Sequence, residues 1–173
     1  MALPQYVHDL AKQVSNWGRW GADDRRGTLN LIDDAAVKRG MAAARQGKVF
    51  SLSYPFDENG MQLGFIPGRI NPERTMVAIN HSLTGDPGDF TSTDDAVSMG
   101  IQASTHLDAL CHVGYDGFLY NGVPMSTVDE KGSPELGIDR VGALMSRGVL
   151  LDIARLHGVE FFDEGYPITG DDL

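Results

Sequence analysis

Glycine most limits what this chain can become. The 21 glycines and 8 prolines are spread through 173 residues, so short elements joined by tight turns are expected rather than a long helical bundle. Between those breaks the apolar spacing predicts a short amphipathic N-terminal helix through Tyr6, Val7, Leu10, Val14 and Trp17. The glycine- and charge-rich WGRWGADDRRGTLN then reads as loop. A second helix begins near Asp33 or Asp34, either of which can cap it, and stops at Gly47. Phe50, Leu52 and Tyr54 alternate with serines, the pattern of a half-buried strand. Loop is expected from Asp57 to Glu73, strand from Arg74 to Ser82, and loop again from Leu83 to Asp95. AVSMGIQASTH reads as strand, YDG and YNG as turns, and RGVLLDIA, Arg147 to Ala154, as a buried strand. Strands thus outnumber helices, and the class is a single mixed α/β domain over residues 1–173.

At the C-terminus Thr169-Gly-Asp-Asp172-Leu has the form of a capping box, with Thr169 as cap and Asp172 capping back. A helix needs several turns to be stable, so this cap predicts a chain that stops mid-architecture; an acidic tail is the other reading.

Composition narrows the function classes. A net charge of −10 argues against a nucleic-acid partner, because nothing here neutralises a run of phosphates. One cysteine forms no internal disulfide and points to a reducing compartment. No secretory signal pattern and no apolar run of membrane-spanning length are present, so a cytoplasmic location without membrane contact is expected.

The segment SMGIQASTHLDALCHVGYDG, Ser98 to Gly117, gathers two of the 5 histidines, the lone cysteine and two aspartates. On a helix His106 and Asp108 point about 200° apart and cannot share an ion. On a strand they share a face, with Cα atoms about 6.6 Å apart, a spacing that suits an imidazole and a carboxylate converging on one metal. Gln102 lies about 13 Å from His106 along a straight strand, and is a ligand only if the chain curls near Ser104. His112, past a Leu-Cys step that can begin a turn, is a further ligand or an acid/base beside a metal-activated water. Spacing alone leaves open that these are ordinary surface or cap residues. Cys111 and His112 face opposite ways on a strand, which favours Cys111 as a small buried hydrophobe over a thiol nucleophile. Trp17 and Trp20 read as packing residues, although a loop tryptophan also suits the wall of an aromatic substrate pocket.

Gln102-Ala-Ser-Thr-His106-Leu-Asp108-Ala-Leu-Cys-His112 resembles the signature of the putative cyclase family, metal-dependent hydrolases that include bacterial kynurenine formamidases: His-x-Gly-Thr-His-x-Asp-x-Pro-x-His. WGADDRRGTLNLID and RGVLLDIARLHGV also look like a longer subgroup of that family. The resemblance implies that His106 and Asp108 are metal ligands and that His112 is the catalytic acid/base. Gln102 stands where the family has its first histidine, Ser104 where it has glycine and Leu110 where it has proline. It also implies a swivelling β/β/α mixed-sheet fold, incomplete in this chain, and zinc or manganese as the metal. Dimers or larger homo-oligomers are implied, as is hydrolysis of an amide, ester or lactone bond in a small, aromatic-derived substrate through metal-bound hydroxide. Longer members carry further His and Glu site residues beyond this length. The alternative is a catalytically silent fragment that serves as a binding or assembly module.

Overall fold

In the computed structural model, which describes residues 3–173, the chain is mixed α/β. Helix α1 (Gln5–Val14) is followed by a 3-10 turn at Gly27–Leu31 and by α2 (Asp34–Ala43). Strands β1 (Glu73–Ser82) and β2 (Thr91–Ser98) come next, then several 3-10 turns and the single-turn helix α3 (Ile153–Leu156). Asp33 starts α2 as the sequence predicts: its carboxylate accepts from the Ala36 amide at 2.8 Å. The helix ends at Ala43, before Gly47, although Gly47 does take the left-handed φ of 63°. Gly40 lets α2 press against backbone, since a Cβ there would stand 2.7 Å from the Ser146 carbonyl carbon.

Among the described residues the sheet consists of β1 and β2, antiparallel, with Glu73 opposite Ser98 and Ser82 opposite Thr91. The pairing slips between Met76 and Ala78 and again between Ala78 and His81. At the second irregularity Asn80 has a φ of 48° and donates its amide to Thr93 Oγ1 at 3.0 Å. Four sequence expectations are corrected here. The loop predicted for Leu83 to Asp95 ends early, because β2 begins at Thr91. The strand predicted to run on to His106 stops at Ser98, and residues 101–103 curl into a 3-10 turn. Residues 50–54 and 147–154 are not strands: Phe50 is 78% accessible, 147–152 are exposed with Leu150 at 85%, and 153–154 enter α3, where Ile153 is buried. A strand exists only by pairing, and these segments have no partner strand among the described residues. Among the described residues helices therefore outnumber strands.

The core lies under the motif. Leu119, Val123 and Leu136 are buried together, with Leu110, Cys111 and Tyr120 packed against them. This cluster grows from turns rather than a sheet: Leu119 donates to the Val123 carbonyl at 2.7 Å, and Met125 to Gly117 at 3.0 Å. Elsewhere little is covered. The chain exposes 13994 Å², against about 8,300 Å² expected of a compact monomer of this mass. No helix among the described residues is long and apolar enough to cross a membrane.

Candidate functional site

The motif leaves the 3-10 turn Ile101–Ala103 with Ser104 fully extended at φ −149°, ψ 179°. Two hydrogen bonds hold it against the extended segment before it: Tyr54 donates its amide to Ser104 Oγ at 3.1 Å, and Thr105 Oγ1 donates to the Leu52 carbonyl. Non-helical backbone continues through Ala109, so His106 and Asp108 meet as period two requires. His106 Nε2 stands 3.1 Å from Asp108 Oδ1. The His112 amide then bonds the Ala109 carbonyl at 2.9 Å, and this turn brings His112 Nε2 to 3.9 Å from Asp108 Oδ2. One carboxylate thus faces both imidazoles, an oxygen to each.

The orientation of the His106 ring follows from its neighbours. Its Nδ1 lies 2.7 Å from the Ser104 carbonyl, and a carbonyl only accepts, so Nδ1 carries the hydrogen. Nε2 then faces the Asp108 carboxylate, an arrangement that takes a positive centre between them. A proton meets the demand, and so does a metal ion. Two donors about 2.1 Å from one ion are about 3.0 Å apart at a right angle and about 3.4 Å at the tetrahedral angle; the observed 3.1 Å fits between. Fixing the far ring nitrogen on a carbonyl is also how ligating histidines are oriented. His106 and Asp108 therefore fit a cation as a two-donor corner. Among the described residues no group of three or more His, Cys, Asp and Glu side chains is placed to hold a metal, whereas a catalytic zinc site takes three protein ligands and an open position.

Gln102 is not brought into that contact by its recorded bond: its backbone carbonyl accepts from Gln62 Nε2 at 2.7 Å. The curl at 101–103 is nonetheless the departure from a straight strand that a role for Gln102 requires. Cys111 is free, half-buried and packed on the Leu119 cluster, which suits a small hydrophobe and not a nucleophile. His81 sits opposite Ser92 in the hairpin.

A cleft of about 350 Å³ opens beside Asp108 and His112, walled by Trp17, Tyr115, Phe118 and Tyr120. A larger one, about 620 Å³, lies against α1 and shares Trp17 and Tyr115 with it, but contains neither motif histidine. The smaller cleft is the one of these two that borders Asp108 and His112. The backbone that follows Trp17 is fastened by bonds that sequence reasoning missed. The Asn121 amide oxygen accepts from Gly18 N at 2.7 Å, and its nitrogen donates to the carbonyls of Gly21 and Ala22 at 2.9 Å and of Asp24 at 3.3 Å. Tyr120 donates its hydroxyl to Asp24 at 2.8 Å, and the same carboxylate accepts from Gly27 N and Asn30 Nδ2. Burial works against an ionised Asp24, but the bonds from Asn30, Gly27, Tyr120 and Arg26 outweigh it and lower its pKa. Burial, the bond to Asp24 and that residue's charge push Tyr120 up to about 12. Arg25 completes the seam on Glu135 at 2.6 Å.

Two further histidines have partners not read from the sequence. His8 of α1 bonds the Tyr115 hydroxyl. His157 meets Asp172 at 2.7 Å, and Asp172 also accepts from the Thr169 amide at 2.8 Å, closing the predicted capping box on a 3-10 turn.

A family model described as "Putative cyclase" matches residues 50–173. A crystal structure described as that of a novel cyclase superposes with a TM-score of 0.81 at 39% identity, covering 94% of this chain and 54% of that one. The chain thus spans about half the length of that solved relative. No curated protein matches.

Proposed function

Since this chain belongs to the putative cyclase family, we propose that it is part or all of a metal-dependent hydrolase of amide, ester or lactone bonds, using zinc or manganese. The observation that carries the reading is the orientation of His106: Nδ1–H is spent on the Ser104 carbonyl, and Nε2 faces a carboxylate 3.1 Å away. His106 and Asp108 would hold the ion, with Gln102 as a neutral oxygen donor should its side chain swing in. A divalent ion supplies an activated water near neutral pH and polarises the scissile carbonyl.

The chain's own groups do the rest. His112 Nε2 takes the proton of the attacking water and returns it to the departing oxygen or nitrogen. Asp108 Oδ2, 3.9 Å from that nitrogen, favours the imidazolium while it lasts. The aromatic walls of the 350 Å³ cleft suit a flat, aromatic-derived small molecule. Assembly as a homo-oligomer is part of the proposal, since the exposed area exceeds the compact value by roughly 5,700 Å², beyond a standard interface.

The same area favours a second reading, a module that assembles without turnover of its own. Elemental analysis of protein purified without chelator, followed by ester and lactone assays with added Zn²⁺ or Mn²⁺, separates the two. Turnover that His106→Ala abolishes together with bound metal supports the hydrolase; a metal-loaded but inert protein supports the module; unchanged metal content in His106→Ala removes that residue from the site.

A further inference from the structure

We infer that Asn121 is a positioning residue: its side-chain amide fixes Trp17 as the wall of the cleft beside Asp108 and His112, and Trp17 thereby selects for a flat group on the substrate. The kinetic part rests on the hydrolase reading; the structural part does not.

One amide faces four backbone groups of residues 18–24: its oxygen accepts from Gly18, and its two N–H hydrogens are shared among the carbonyls of Gly21, Ala22 and Asp24. Gly18 is the residue immediately after Trp17, and at φ 74° it turns the chain where a side chain would be strained. Trp17 is 44% exposed, so packing alone does not hold the indole. Its location depends on the backbone to which it is attached, and that backbone is fastened through Asn121. Asn121 itself sits at φ 57°, ψ 29°, a left-handed conformation that asparagine tolerates better than most residues. It adjoins Tyr120, which lines the same cleft. Wall and fastening are thus consecutive residues, and a shift in one reaches the other.

The test uses Asn121→Gly, which keeps the left-handed backbone unstrained and deletes the amide with its bonds. In a Trp20→Phe background Trp17 is the only tryptophan, so its fluorescence anisotropy and acrylamide quenching report on it alone. Anisotropy should drop and quenching rise in the variant, with or without metal. With Zn²⁺ or Mn²⁺ added, KM for phenyl acetate should rise roughly two- to tenfold relative to KM for ethyl acetate, the size of one lost aromatic contact. The kcat for either ester should hold. Trp17→Ala should raise the same KM ratio, and the double variant should raise it no further. Unchanged anisotropy and quenching overturn the inference, as does an equal loss on both esters. If the parent turns over neither ester, the hydrolase reading loses support while the fluorescence result still decides the role of Asn121. Should Asn121→Gly fail to fold, Asn121→Asp, which keeps only the acceptor for Gly18, is measured the same way and should give an intermediate loss of anisotropy; parent-like values overturn the inference.

Discussion

Replacing Tyr120 with Phe removes one oxygen and nothing else from the seam between residues 18–30 and the core. That oxygen donates to Asp24 at 2.8 Å, a bond to an ionised acceptor. Because the pKa of Tyr120 rises from its ordinary 10 to about 12, the folded state favours the neutral phenol. Its contribution is therefore whole below about pH 10 and is lost as pH climbs through about 12. Linkage caps it at about 2.7 kcal/mol, but the ring is only half-buried and water screens the bond. A loss of about 1–2 kcal/mol is expected, within the range for a hydrogen bond to a charged group, or about 2–8 °C in melting temperature. Asp24 works in the opposite direction: its lowered pKa stabilises above the ordinary carboxylate range and is lost as pH falls through the depressed value. Urea melts from pH 3 to 12 should show Tyr120→Phe less stable near neutrality, converging on the parent above pH 11. Curves that coincide at pH 7, or an alkaline limb unchanged by the substitution, would refute the argument.

Other expectations are as direct. His112→Ala should keep its metal while ester turnover falls by about 10²- to 10⁴-fold, the contribution of a general acid/base; metal lost in parallel would recast His112 as a ligand. Gly40→Ala, which in an open helix would gain about 1 kcal/mol, should instead cost about 1–3 kcal/mol by overpacking, because the new Cβ meets the Ser146 backbone at 2.7 Å; chemical denaturation measures the sign. Asp172→Asn should speed hydrogen exchange at the Thr169 amide by removing the ionised acceptor of the cap. In the parent, the Thr169 and His157 bonds hold the pKa of Asp172 below 3.8 against burial. Exchange protection should therefore persist above that value and disappear as pH falls through the lowered one.

What the sequence revealed was local. Asp33 capped α2 because an Asx cap needs only the amide three residues on. His106 and Asp108 met because two-residue periodicity is a property of the backbone, and the His112 turn closed within four residues. Phe50 to Tyr54 carried a correct strand pattern, yet pairing belongs to two segments, and one alone remains an exposed extended chain. The seam through Asp24, Tyr120 and Asn121 was invisible for a related reason: its bonds join residues 96 to 103 positions apart, and nothing near Asn121 names its partners. The left-handed asparagine in YNG was the one available hint.

The two-stranded β1–β2 ribbon leaves Val77 and Ile79 open to water, and apolar surface in water is unfavourable. Any molecule that covers it only in the folded state adds to folding through mass action. Melting temperature should then climb with the protein's own concentration or with that of a companion. Were such a cover to form, stability would become a property of the solution as much as of the fold.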